Sequence, residues 1–410
     1  MTGRALRLLY LADIRFPIER ANGIQTIETC HALARGGLDV RLVVRTDTHE
    51  PPRDPLAYYG VAPLDQFVIT QVPLSGGGAA RRMGYLRSAV RYALSRGVDA
   101  VFTRDLLLAS LLLGVPRRLR PPVVYESHGL SDQVAAQLDT LLTGARAASL
   151  TKQRRLARRE ARVWRRADGY VAITSRLRDA LAGRFGPRPD GDATVVVAHD
   201  GVRAADIAAS QARPRAGRCR AAYAGHLYPW KGVDVFIQAL ARAPEVEGLV
   251  VGGHPAEPDL GRLEQAARDL GIADRVRFTG LVAPRAVASY LAGADVLVLP
   301  NVATTLSSDY SSPLKLFEYL AARRAIVASD LPAFREVVGH EREALLVAPG
   351  DAEALATALR RLSAEPDFAS ALAARAAARA AAFSWDVRAA TIGGLVARLA
   401  TTGGAPVPTV

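Results

Sequence analysis

The sequence predicts an α/β protein made of two doubly wound, Rossmann-like parallel-sheet domains facing a cleft. Three observations predict it. The chain has 410 residues, well beyond the roughly 150 of an average domain. Short apolar runs without polar alternation recur between stretches of helical periodicity, as expected for parallel strands covered on both faces. That rhythm lapses once, at 203–218, and then restarts.

The elements follow in order. The run LRLLYLA (6–12) is too short for a signal peptide and stops at Asp13, so it reads as a first buried strand. After the helical stretch GIQTIETCHALARGG come LDVRLVV (38–44), DAVFT (99–103), VVYES (123–127), GYVAIT (169–174) and ATVVVA (193–198), which complete an N-terminal domain over 1–202. The stretch RAADIAASQARPRAGR (203–218) is polar, Ala-rich and proline-containing, and is expected to be a linker. A C-terminal domain over 219–382 then repeats the pattern with CRAAYAG (219–225), GLVVGG (248–253), RVRFTG (275–280), ADVLVLP (294–300), AIVASD (325–330) and ALLVAP (344–349), followed by Ala-rich helices. A last helix over 383–400 either packs on the second domain or crosses back to the first. The tail 401–410 is expected to be flexible. Two open sheets of this class bind ligands beyond the carboxyl ends of their strands, which makes the cleft the expected site.

Composition narrows the function. Hydrophobic residues make up 50% and charged residues 23%, which favours a folded chain over disorder. The net charge of +13 points to an anionic partner: nucleic acid, an acidic membrane surface or a phosphorylated small molecule. Nucleic acid is disfavoured, because arginine is spread along the chain and aromatics are only 6%. Cys30 and Cys219 lie in different halves and give neither a disulfide framework nor a metal-ligand spacing, so a reducing, cytoplasmic setting is expected. The apolar run LLLASLLLGV (106–115) is half the ~20 residues needed to cross a bilayer. Neither half has Gly-x-Gly-x-x-Gly after its first strand, which disfavours a dinucleotide oxidoreductase.

Only three of the 53 basic residues are lysine: Lys152, Lys231 and Lys315. In YAGHLYPWKGVDVFIQALA (223–241), Lys231 and Gly232 fall where a strand passes through a loop into a helix, a natural anion site. A solvated lysine is the ordinary alternative, but a surface role elsewhere in this chain is filled by arginine. In DYSSPLKLFEYLAARRAIVASD (309–330), Ser312 is expected to cap a helix, Pro313 to take its first position and Lys315 to lie in the first turn. Leu314, Phe317 and Ala321 form its buried face. Glu318 beside them has the chemistry to accept hydrogen bonds from two vicinal hydroxyls, as on a ribose, or simply to pair with an arginine.

The segments GHLYPWKGVD, ADVLVLP and SSPLKLFEYLAARRAIVASDLPAFREVV resemble the donor-binding half of the retaining glycosyltransferases of family 4, which have the GT-B architecture. In the first half, ANGIQTIETCHALARGGLDVRLVVR and YESHG resemble that family's acceptor domain. The resemblance implies that 1–202 binds the acceptor and 219–382 a UDP- or GDP-sugar. Lys231 would grip the diphosphate, Glu318 the ribose, and backbone N–H groups around Pro313, those of Ser311, Ser312 and Leu314, the sugar or phosphate. Gly23 would let its loop approach the diphosphate, and His128 of YESHG would stand beside the sugar. No metal or other cofactor is implied. Three positions depart from the family: after Gly225, His226 replaces an arginine, with Lys315 or a nearby arginine to compensate; Tyr310 replaces the first of two glutamates; and Asn22 replaces the first glycine of a pair before Gly23.

Two further signals were weighed. DGD (190–192) imitates a metal-binding Asp-x-Asp but reads as a surface turn. In TKQRRLARREARVWRR (151–166), Arg155, Arg158, Arg159, Arg162 and Arg166 share one helical face with Leu156 and Val163 on another, which suits a solvated face, anionic lipid or a phosphorylated acceptor. The leading reading is a retaining, metal-independent hexosyltransferase-type enzyme acting on a small-molecule, natural-product or lipid-linked acceptor, cytoplasmic or peripheral at the inner membrane face. Sugar-nucleotide epimerisation and non-catalytic membrane-surface binding stand as alternatives.

Overall fold

The computed structural model describes residues 4–73, 76–203, 217–255 and 257–402. Most of the expected linker (204–216) and of the expected tail (403–410) lie outside the described residues. The described residues form two units: one from 1–131, 154–199 and 385–410, the other from 132–153 and 200–384.

The first unit contains β1 (Arg7–Arg15), β2 (Asp39–Arg45), β3 (Phe67–Val72), β4 (Ala100–Thr103), β5 (Val123–Ser127), β6 (Gly169–Ala172) and β7 (Val195–Val197). They form one seven-stranded sheet in the order β3-β2-β1-β4-β5-β6-β7, with every pair parallel. Tyr10 sits at the middle of the sheet, opposite Leu42 on one side and Phe102 on the other, and all three are fully buried. β3 is the strand the sequence did not reveal. It lies at the sheet edge with Val68 44% exposed, so it never needed the continuous apolar run that marks its neighbours.

The second unit contains β8 (Cys219–Ala224), β9 (Val246–Val251), β10 (Val276–Phe278), β11 (Val296–Leu299), β12 (Ala325–Ser329) and β13 (Leu345–Val347), again all parallel, in the order β10-β9-β8-β11-β12-β13. Successive strand residues serve opposite faces. Ala221, Tyr223, Val250, Val296, Val298 and Val327 join one apolar core, whereas Ala222, Ala224, Leu249, Val251, Leu297 and Ile326 join the other. Both faces being buried is why these strands lack polar alternation.

In each sheet the first strand lies in the middle and the chain winds outward both ways, so the strand order reverses between β1 and β4 and between β8 and β11. Loops leaving these pairs diverge and open a crevice, the usual ligand site of such sheets. The helix Trp385–Thr402 belongs to the first unit, where it packs on the helix Ala21–Arg35 and joins it through Arg35 and Asp386 at 2.7 Å.

Candidate functional site

In the second unit, β8 delivers the chain to Gly225, whose N–H donates to Val251 O at 2.9 Å. The His226 ring stacks flat on Tyr228, with centroids 4.8 Å apart, and its Nδ1 lies 3.5 Å from Glu257. Tyr223 donates its hydroxyl proton to the His226 carbonyl at 2.5 Å, which fixes the turn.

Lys231 ends a single 3₁₀ turn, Pro229–Lys231, and the helix Val233–Arg242 starts just after it. Gly232 between them is left-handed, with φ 68°, and a Cβ there would lie 1.9 Å from the Pro300 carbonyl oxygen. Only glycine meets both conditions. The same approach ties the lysine turn to the loop after β11, where Val302 N–H donates to Trp230 O at 3.1 Å. Lys231 therefore stands at the reversal point of the sheet. Its Nζ lies 3.8 Å from the centre of the Trp230 ring. Burial, and then the neighbouring Lys315 charge, pull its amine from the ordinary 10.5 down to about 7.

Lys315 lies in the helix Leu314–Ala321 and contacts Glu318 one turn on, at 2.7 Å. This helix begins one residue later than the sequence suggested. Pro313 keeps an extended ψ of 117° ahead of it, and the Ser312 hydroxyl accepts the Asp200 N–H at 2.9 Å instead of capping the helix. No side chain caps its first turn. Leu314, Phe317 and Ala321 are buried as expected, and Ser311 and Ser312 lie at the edge of burial. Tyr310 is buried and donates its hydroxyl to Gln133 Oε1 at 3.1 Å.

Gln133 was not singled out in the sequence, nor were Gln137, which donates to Thr305 Oγ1 at 2.8 Å, and the short helix Leu138–Leu141, which packs on the lysine turn. All belong to 132–153, which clusters with the second unit although residues 154–199 of the first unit separate it from the rest of that unit in the chain. Isolated glutamines in short helices carry no periodic signal.

In the first unit, His128 follows the end of β5, and its Nε2 meets Oε1 of the fully buried Glu126. Gln25 donates to the same oxygen at 2.6 Å, and Arg104 donates to Gln25 at 2.8 Å. Burial alone would raise the Glu126 carboxyl, but Arg388, His128 and Arg104 override it and hold it at about 2. Burial and then Arg104 push the imidazole of His128 down to about 4, against the pull of Glu126. Gly23 sits in the first turn of the helix Ala21–Arg35, where a Cβ would lie 2.2 Å from the Tyr59 hydroxyl and 2.6 Å from Ile18. Packing within this unit thus already requires a glycine.

On the helix Leu150–Arg166, Arg155, Arg158, Arg162 and Arg166 are exposed and Arg159 is half-buried, whereas Val163 and Trp164 are buried. Glu160 on that helix is fully buried and accepts both the N–H and the hydroxyl of Ser131, at 2.9 and 3.0 Å. Asp190, Gly191 and Asp192 form an exposed turn. Among the described residues no three His, Cys, Asp or Glu side chains are grouped to hold a metal ion, and no helix is long and apolar enough to cross a membrane.

Comparison with known proteins covers both units. Residues 23–205 match the model of Glycosyltransferase Family 4, and residues 218–365 match that of Glycosyl transferases group 1. A D-inositol 3-phosphate glycosyltransferase of Streptomyces scabiei is 32% identical over 250 residues, covering 56% of this chain and 54% of that protein. In such matches, at about a third identity, the chain spans about half the length of the curated relatives. Sucrose-phosphate synthase from Thermosynechococcus elongatus superposes with a TM-score of 0.76 at 21% identity, over 97% of this chain and 100% of that one. Anabaena Alr3699/HepE in complex with UDP-glucose gives 0.70 at 18%, over 97% and 100%. These likenesses establish the GT-B fold of two Rossmann-like domains. With family matches over 23–205 and 218–365, which include His128, Lys231 and Glu318, the chain belongs to glycosyltransferase family 4.

Proposed function

We propose that this protein transfers a sugar from a UDP- or GDP-sugar to an acceptor hydroxyl, with retention at the anomeric carbon. The observation that carries the reading is the pair Lys231 and Lys315 beside the reversal point of the second sheet, where Lys231 is depressed by burial and by its neighbour. Two cations close together in a partly dry place favour a dianionic ligand such as a diphosphate. In the reaction the bond from the anomeric carbon to the diphosphate oxygen breaks, and a bond to the acceptor oxygen forms. The acceptor proton passes to a phosphate oxygen on the leaving-group side, while Lys231 stabilises the charge left on the diphosphate.

Glu318, steadied by Lys315, is assigned to the ribose through the carboxylate capacity that the lysine leaves open. The backbone N–H groups of Ser311, Ser312 and Leu314, flanking Pro313, are assigned to the phosphate or sugar, with Gly225 and His226 alongside. His128 is assigned to the sugar, and these side chains supply the charge without a metal. Gly23 enters as the residue that shapes the first turn of its helix. Tyr310, already bonded to Gln133, is assigned to shaping the sugar pocket.

The acceptor is assigned to a small molecule, a natural product or a lipid-linked group. The exposed Arg155, Arg158, Arg162 and Arg166 suit a phosphorylated acceptor, or a peripheral position on the cytoplasmic face of a membrane. The test is turnover of UDP- and GDP-sugars by the wild type and by Lys231→Ala at saturating donor. Loss of transfer in the variant is expected, and normal turnover would refute the reading. Conversion of the donor with no acceptor present would favour an epimerase instead.

A further inference from the structure

Arg388 lies in the first turn of the helix Trp385–Thr402, where a cation opposes the helix dipole, and it is only 3% exposed. Such a residue needs a reason to be there. Its guanidinium donates to Thr29 Oγ1 at 3.1 Å, to the Ala198 and His199 carbonyls at 2.5 and 3.1 Å, and to Glu126 Oε2 at 2.5 Å. Four acceptors on three separate segments take up a rigid five-donor fork, which a lysine could not reproduce. The other oxygen of Glu126 is shared by Gln25 and His128.

We propose that Arg388 is a positioning residue for the transfer reaction proposed above: it locks Glu126 so that His128 is presented as a neutral imidazole, with Nε2–H directed to Glu126 and the Nδ1 lone pair left to accept a substrate hydroxyl. The inference rests on that functional reading. The tautomer follows from the chemistry of the pair. An ionised carboxylate only accepts hydrogen bonds, so the nitrogen facing it must carry the proton. With Glu126 held at about 2 and His128 at about 4, the carboxylate is ionised and the imidazole neutral near pH 7. The charged groups bearing on His128 are Glu126 on β5, Arg104 after β4 and Arg388 on the returning helix. Tyr10 on β1 and Cys30 on the helix Ala21–Arg35 neighbour Glu126, and burial raises both, which keeps them uncharged. Arg388 thus does two things. It supplies the charge that keeps Glu126 ionised, and it repels a proton from His128.

The experiment is ¹⁵N NMR of the seven histidines in the full chain without substrate, with His128 assigned through His128→Asn, alongside kcat and KM. In the wild type, His128 is expected to be a single Nε2–H tautomer that stays neutral above about pH 5. In Arg388→Gln its titration midpoint should rise by at least one pH unit and kcat should fall at least tenfold, with the donor KM within twofold. Arg388→Lys should lie between the two. If Arg388→Gln does not fold, Glu126→Gln interrupts the same chain without removing the staple and should give a mixed tautomer and the same loss of kcat. An unchanged His128 spectrum in these folded variants would overturn the positioning role while leaving the transferase reading intact. A shifted spectrum with unchanged kcat would overturn it too, by showing that transfer does not use the oriented imidazole. Absence of transfer by the wild type would refute the functional reading instead, separately from the spectrum.

Discussion

If Lys231 binds the donor diphosphate as proposed, that binding should weaken above pH 7. Its amine lies at about 7 rather than 10.5 because the half-buried side chain has lost hydration and feels the Lys315 charge. A bound diphosphate replaces the lost hydration with opposite charge and returns the amine toward its ordinary value. The sign follows directly. Above pH 7 the free protein has lost the proton that the complex holds, so binding must take one up, and affinity falls as pH rises. Each pH unit well above 7 costs about 1.4 kcal/mol, or tenfold, and the fall between pH 7 and 9 works out at about 50-fold for a single site titrating at 7. From pH 7 down to 6 the gain is less than about twofold. The nucleotide itself adds little to this window, since phosphate monoester groups complete their ionisation near pH 6. Calorimetric titration with UDP and GDP at pH 6, 7, 8 and 9, in buffers of differing ionisation heat, reads both affinity and proton uptake. Uptake should approach one proton at pH 8–9. Lys231→Arg should abolish both effects, because a guanidinium stays charged across the range. A wild-type Kd constant within twofold from pH 7 to 9, or the same slope in Lys231→Arg, would refute the reasoning.

Three other outcomes are expected. Glu318→Ala should weaken nucleotide binding by about 10- to 100-fold, at about 1.5–3 kcal/mol for hydrogen bonds to a charged group; a 2′-deoxy nucleotide should lose a similar amount with the wild type and no more with the variant, and additive losses would remove the ribose from Glu318. Gly232→Ala should lower stability by at least the 1–2 kcal/mol or so of left-handed strain, a fall in Tm of about 2–4 °C per kcal/mol, because the new Cβ also meets the Pro300 carbonyl at 1.9 Å; an unshifted Tm with full nucleotide binding would contradict it. Changing Arg155, Arg158, Arg162 and Arg166 together to Gln should reduce co-sedimentation with phosphatidylserine vesicles at least tenfold, given about 1 kcal/mol per basic residue near an anionic surface; a wild type that does not sediment would remove the membrane from the proposal.

What the sequence determined by itself was whatever is written in local pattern. Continuously apolar runs made twelve of the thirteen strands among the described residues legible, and edge strand β3 was missed because Thr70 and Gln71 interrupt its run. A lysine kept among arginines, and a glycine after it, marked the turn at Lys231 without any structure. Residues whose purpose is set by partners far away in the chain were not legible. Ser312, expected to cap its helix, is engaged instead by Asp200, 112 positions away. Tyr310 is satisfied by Gln133, 177 positions away. Arg388 looked like one arginine among fifty until the fold brought it to Glu126, 262 positions away, beside His128. Burial is the physical reason: a charged or polar group taken out of water must find a partner, and only the tertiary structure decides which one arrives.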